Sequence, residues 1–120
     1  MAKYLLLIYG EEPPAPPTPA QVQAMFAEYE TFTVGIEKQG ILRGAEALLP
    51  TAAATTVRVR DGKSLVTDGP FAETKEALGG LYIIECDDLD TALAAAAKIP
   101  GATFGSVEVR PIMPMPERAS

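Results

Sequence analysis

Two segments of this chain are apolar at successive positions, and they constrain its fold more than any other feature. Lys3-Tyr-Leu-Leu-Leu-Ile-Tyr9 and Leu81-Tyr-Ile-Ile-Glu-Cys86 are short, rich in strand formers and apolar on both faces. A strand that alternates apolar with polar residues can leave one face in water, whereas one that is apolar at both parities is expected to be covered on both. Such strands belong in the middle of a sheet.

The rest of the chain supplies the elements around them. Gly10 to Pro17 holds four prolines and two glutamates, which excludes helix and central strand and reads as a stiff connecting loop. Thr18-Pro-Ala-Gln21 predicts a helix start, with Thr18 as N-cap, Pro19 at the first helical position and Gln21 closing a capping box. Val22, Met25, Phe26, Tyr29, Thr33 and Ile36 follow at three- and four-residue spacing as one apolar stripe, and Gly40 predicts a left-handed cap. Ile41 to Leu49 reads as a strand in which Gly44 marks a bulge or a close backbone approach. Val57-Arg-Val-Arg60, Asp61-Gly62 and Lys63 to Thr67 make a hairpin around the favoured two-residue turn, and Asp68-Gly69-Pro70 breaks it. After the strand at Leu81, Asp87 or Asp88 caps a second helix with Leu89, Ala92, Leu93, Ala96 and Ile99 as its stripe, ended by Pro100-Gly101. Its alanine-rich face is flat enough to lie close to a sheet. Ser106 to Ile112 is a last strand, with Val107 and Val109 inward. Residues 1–112 are expected to form one domain and 113–120 a tail.

The order is strand, helix, strand, hairpin, strand, helix, strand. This predicts an α+β fold: a βαββαβ frame with an extra hairpin, an antiparallel sheet and both helices on one face. The two-faced strands then lie in the middle, and the helices cover only one side. A second copy of the sheet is the simplest cover for the other, so a homodimer with packed sheet faces is expected.

Composition narrows the function. The 120 residues include 10 Lys and Arg against 16 Asp and Glu, a net charge of −6 that argues against nucleic-acid binding. There is no histidine, which removes the commonest general base and metal ligand. The single cysteine, Cys86, excludes an internal disulfide and a cysteine-cluster metal site. The opening apolar run is too short for a signal-peptide core or a membrane helix, so a cytoplasmic protein with no membrane partner is expected. No cofactor is expected.

One segment stands apart. Asp68-Gly-Pro-Phe-Ala-Glu-Thr-Lys-Glu-Ala-Leu-Gly-Gly80 begins with a restricted turn, exposes an aromatic residue, clusters Glu73, Lys75 and Glu76, and ends in two glycines that let the chain pass close to something. Loops of this length in small domains are disproportionately functional. Val66-Thr-Asp-Gly-Pro-Phe-Ala-Glu-Thr-Lys-Glu76, followed by Leu78-Gly-Gly80, resembles the signature of the DGPF-domain proteins of the YCII-related superfamily. Tyr4–Gly10, Ile41–Leu48, Thr55–Gly62 and Val107–Pro111 resemble other segments of the same family, so the likeness covers nearly the whole chain. The resemblance implies a ferredoxin-like fold that dimerises into an α/β barrel. It also implies small-molecule chemistry, proposed in the wider superfamily to use a His–Asp pair; one relative removes chloride from a chlorinated aromatic compound. This chain has no histidine for that pair. DGPF-type proteins are often encoded beside extracytoplasmic-function sigma factors, which implies an alternative role as a regulatory module.

Each residue of the segment carries a structural reading beside the functional one. Asp68 is the candidate acid–base or ligand-orienting group, or else it bonds its own turn, which Gly69 and Pro70 shape. Without histidine, a carboxylate base needs burial to raise its pKa. Phe71 is a candidate pocket wall or interface anchor. Gly69, Pro70, Glu73 and Lys75 are candidate ligand contacts; Glu73 and Glu76 could polarise a substrate or, with Asp68, bind Mg²⁺ or Ca²⁺, but Lys75 between them favours a surface ion-pair cluster, and no metal site is expected. Arg58 is a candidate anion clamp, as are Arg43, Arg60 and Arg110. Tyr82 and Tyr9 are candidate hydroxyls in the barrel, or core residues with a satisfied tip. Cys86 reads as a buried inert thiol. The expected function is small-molecule binding in the dimer barrel; the expected partners are a second copy, a small ligand and, in the alternative, a sigma factor.

Overall fold

The computed structural model describes residues 1–116. In chain order it contains β1 (Ala2–Gly10), α1 (Pro19–Lys38), β2 (Leu42–Ala47), a 3₁₀ turn (Thr51–Ala53), β3 (Thr55–Arg60), β4 (Lys63–Asp68) and β5 (Ala77–Cys86). There follow α2 (Leu89–Ala97), a second 3₁₀ turn (Pro100–Thr103) and β6 (Ser106–Pro111). Four strands form an antiparallel sheet in the order β2-β5-β1-β6, and β3 with β4 forms a separate two-stranded sheet. This is the strand order of a ferredoxin-like α+β fold with a hairpin inserted, and the two apolar strands lie in its centre.

Local chemistry sets the ends of the elements. The capping box of α1 is complete: the Thr18 N–H donates to Gln21 Oε1 at 2.9 Å and the Gln21 N–H donates to Thr18 Oγ1 at 3.2 Å. Gly40, with φ +75°, ends the helix in the left-handed region. Asp88 caps α2, accepting from the Thr91 N–H at 2.8 Å and the Thr91 hydroxyl at 2.7 Å, and these bonds hold its carboxyl below the ordinary range. Asp61 and Gly62 both have positive φ, as a type I′ hairpin turn requires. The bulge expected at Gly44 falls between Leu42 and Gly44, with Arg43 the extra residue.

The core lies between the helices and one face of the sheet. Tyr4, Leu6, Tyr82, Ile84 and Cys86 point into it from the strands, and Phe32, Ile36, Ala92, Ala95, Ala96 and Ile99 meet them from the helices and the turn after α2. Val107 and Val109 pack against it as expected. On the opposite face Leu5 stands across from Ile83 and Leu7 across from Leu81, all four half-buried. The central strands are therefore apolar on both faces but fully buried on one, because both helices lie on the same side.

Several expectations are corrected. In α1 contact with the core begins at Tyr29; Val22 is half-buried, Met25 and Phe26 are exposed, and Phe32, outside the expected stripe, is buried. Phe32 keeps the helical spacing, three residues after Tyr29 and four before Ile36. In α2 the alanine face lies on the sheet, so Leu89 and Leu93 are displaced to the flank and exposed. β5 begins at Ala77 rather than Leu81, and Gly79-Gly80 belongs to it. A Cβ at Gly80 would sit 3.0 Å from the Glu46 carbonyl oxygen, so the close approach that the glycine pair signalled is to the neighbouring strand. After β6 residues 112–116 are irregular, with Met113 and Met115 exposed; the remaining tail positions, 117–120, lie outside the described residues.

Leu6 is wholly buried at the centre of the packed face. Leu6→Ala is expected to cost about 2–5 kcal/mol in chemical denaturation, and Thr18→Ala about 1 kcal/mol through the lost cap.

Candidate functional site

The motif loop leaves β4 at Asp68 and turns through Gly69, whose φ of +98° favours glycine. The turn is held by the Gly69 N–H donating to the Ala54 carbonyl at 2.7 Å and by the Thr56 hydroxyl donating to the Gly69 carbonyl at 2.8 Å. The bonds that shape it thus come from the start of β3 rather than from Asp68. Asp68 is exposed, across from Thr55 at the hairpin root, so it lacks the burial that a carboxylate base needs.

Beyond the turn the loop meets two segments distant in sequence. Pro70, Ala72, Glu73, Thr74 and Ala77 line an open cleft of about 260 Å³ whose other wall is Glu12 and Thr51. Glu12 comes from the proline-rich loop. Its carboxylate accepts the Thr51 N–H at 2.8 Å and also the Thr51 hydroxyl, and these two bonds hold its carboxyl below the usual glutamate range. The stiff loop is thereby latched to the 3₁₀ turn beside the motif. Lys75 pairs with Glu11 at 3.4 Å, a second tie to the same loop.

The sequence candidates divide. Pro70 and Glu73 line the cleft, and Lys75 stands beside it on Glu11. Arg58 and Phe71 come together, the guanidinium carbon 4.9 Å from the ring centroid, a cation–π pair worth about 0.5–1 kcal/mol at an exposed site. Phe71 is 73% exposed, so this pair forms an outer surface rather than a buried wall. Tyr82 does not join the loop. It lies in the core, edge-on to Phe32 with ring centroids 5.0 Å apart, and its hydroxyl shares a hydrogen bond with Thr33 Oγ1 at 2.9 Å. Tyr9 is half-buried beside the β1 bulge.

The expected cluster of Glu73, Lys75 and Glu76 does not form: Lys75 and Glu76 turn to other segments, and Glu73 faces the cleft. Lys75 takes Glu11, and Glu76 Oε1 accepts the Ser106 hydroxyl at 3.0 Å. Among the described residues no three carboxylate or thiol side chains converge as metal ligands. The other arginines are engaged too: Arg43 donates to Glu85 at 3.0 Å and to the Gly40 and Leu42 carbonyls, Arg60 to the Val59 carbonyl, and Arg110 to Glu108. The Cys86 thiol donates to the Asp88 carbonyl at 3.4 Å, and burial pushes its pKa up, as suits an unreactive thiol. Glu12 and Thr51 are the site residues that sequence reasoning missed. The acidic pair inside the proline-rich loop was the available signal, but nothing local links it to a threonine 39 positions on.

A second groove, of about 340 Å³, lies between α1 and α2 over Phe32, Ile36 and Ala95; none of the candidate residues line it. Among the described residues no helix is long and apolar enough to cross a membrane.

The Glu12 latch carries a pH dependence. Its folded pKa is lowered, so the latch is complete above the ordinary glutamate value of about 4.3 and is lost as the pH falls through the lowered value. The Thr51 amide resonance is expected to titrate with a midpoint below that of a free glutamate; an ordinary midpoint would show the latch open in solution.

An uncharacterised protein of Rhizobium meliloti (strain 1021) is 49% identical over 75 residues, covering 61% of this chain and 60% of that protein's length. The profile of the YCII-related domain matches residues 2–116, and the chain belongs to that family.

Proposed function

We propose that this protein is a cytoplasmic small-molecule-binding module that works as a homodimer, its open sheet faces packed together as an α/β barrel. The observation that carries the binding reading is the cleft where Pro70 and Glu73 of the motif meet Glu12 and Thr51. Three separate loops converge there, and two of them are tied by the Glu12 latch. That supplies the preorganisation a binding site needs.

The electrostatics favour one ligand class. Glu12 and Glu73 line the cleft, while Arg43 and Arg110 pair with carboxylates elsewhere and Arg58 lies over Phe71. A ligand that donates hydrogen bonds or carries an amine fits these walls better than a carboxylate does. In this reading Asp68 and the backbone of Gly69 orient the ligand from the loop's first turn, and Phe71 with Arg58 closes its outer side.

The dimer reading rests on Leu5, Leu7, Leu81 and Ile83, an apolar strip that neither helix covers. Leu7→Lys is expected to leave the helix-side core intact and to dissociate the dimer in analytical ultracentrifugation. A wild-type protein that is monomeric at micromolar concentration would remove this reading. For binding, native mass spectrometry of freshly purified protein, against a denatured control, is expected to show retained mass. Glu73→Gln is expected to weaken the captured ligand about tenfold, the scale of one charged hydrogen bond. Unchanged affinity in Glu73→Gln and Asp68→Asn alike would place the site elsewhere.

A further inference from the structure

The β3–β4 hairpin is the least explained part of the molecule. It shares no ladder with the four-stranded sheet among the described residues, and every residue of β4 is exposed. An isolated two-stranded hairpin is marginally stable in water. This one nevertheless has a sharply divided surface. Val57 stands across from Val66 and Val59 across from Ser64, which puts three valines on one face, each at least 60% exposed. Arg58, Arg60 and Lys63 lie on the other face, together with Leu65 across from Arg58. A ribbon that gathers its valines on one side and its charges on the other has the pattern of a strand pair with one covered face, and the cover is missing within the protomer.

We infer that the hairpin is an intersubunit arm whose Val57–Val59–Val66 face packs on a second copy of the chain, extending the open-face interface. This rests on the dimer reading given above and adds to it a surface that the reading does not require. Area favours a second copy as the occupant. Four strands at a spacing of about 4.8 Å, paired over about six residues, offer roughly 400 Å² of open sheet per protomer, half of the roughly 800 Å² that a stable interface needs. An arm of two six-residue strands adds roughly 200 Å², and two-fold symmetry makes each protomer both give an arm and receive one, which brings the interface to that size. Asp68 shares the valine face, across from Thr55, so the docked arm sets this carboxylate at the boundary between protomers. That boundary can give Asp68 the burial it lacks in one chain.

The test compares the wild type with Val57→Thr/Val59→Thr/Val66→Thr, which keeps β-branched side chains and removes the apolar face. Sedimentation equilibrium is expected to show a wild-type dimer and a variant whose dissociation constant is raised on the order of a hundredfold. Hydrogen exchange is expected to show hairpin amides protected in the wild type and open in the variant. A wild-type dimer with an unchanged constant in the variant would overturn the arm while leaving the sheet-face dimer standing. A monomeric wild type would overturn both. A photocrosslinker at Ser64, beside Val59, guards against a variant that fails to fold. When ¹⁴N and ¹⁵N chains are mixed, products of mixed mass support the arm, and exclusively intrachain products reject it.

Discussion

Leu6 and Ile84 are wholly buried on one face of the β1–β5 pair, while Leu5, Leu7, Leu81 and Ile83 are half-buried on the other. The rest of the structure takes its place around this pair. β2 and β6 add to its edges, and both helices lie on the Leu6 side, where the alanines of α2 allow close approach. Removing apolar surface from water is the main favourable term in folding, and here one sheet face receives most of it. The other face keeps apolar surface that the protomer does not use, and the dimer proposal follows from that imbalance.

The candidate site lies at the end of the sheet and depends on the same pair indirectly. Because β5 begins at Ala77, in register with Gly10 at the end of β1, the motif loop is brought beside the proline-rich loop that follows β1. Glu12 then reaches Thr51, and Glu11 reaches Lys75. The motif residues are thus held less by one another than by a loop that pairing of the central strands delivers to them. In place of the expected Glu73–Lys75–Glu76 cluster, Lys75 pairs with Glu11, Glu76 accepts from Ser106 and Glu73 faces the cleft.

Much of the frame was legible in the residues. The capping box at Thr18 and Gln21, the left-handed cap at Gly40, the Asp61-Gly62 turn and the Gly44 bulge all stand where expected. The site was legible only in part. The motif loop was identifiable and contributes Pro70 and Glu73 to the cleft, but Tyr82 belongs to the core, and Glu12 and Thr51 were not found. Tyr82 was ambiguous because a tyrosine on a two-faced strand can point to either side, and parity alone does not say which side the helices take. Ala77–Gly80 read as loop because a glycine pair resembles a break, yet a central strand accepts it where neighbouring backbones crowd.

The sequence by itself determined the kind and limits of most elements, the central position of the two-faced strands and the absence of histidine chemistry. These depend on interactions between residues a few positions apart, or on composition alone. Only the tertiary structure decided that Phe32 is buried while Met25 and Phe26 are not, that Arg43, Arg60 and Arg110 are engaged by carboxylates or carbonyls, and that the hairpin stands off from the sheet with its valines uncovered. Those outcomes depend on which distant segments become neighbours. An amphipathic stripe states that a face will seek cover, but the length and placement of the surface beneath it decide which residues obtain it.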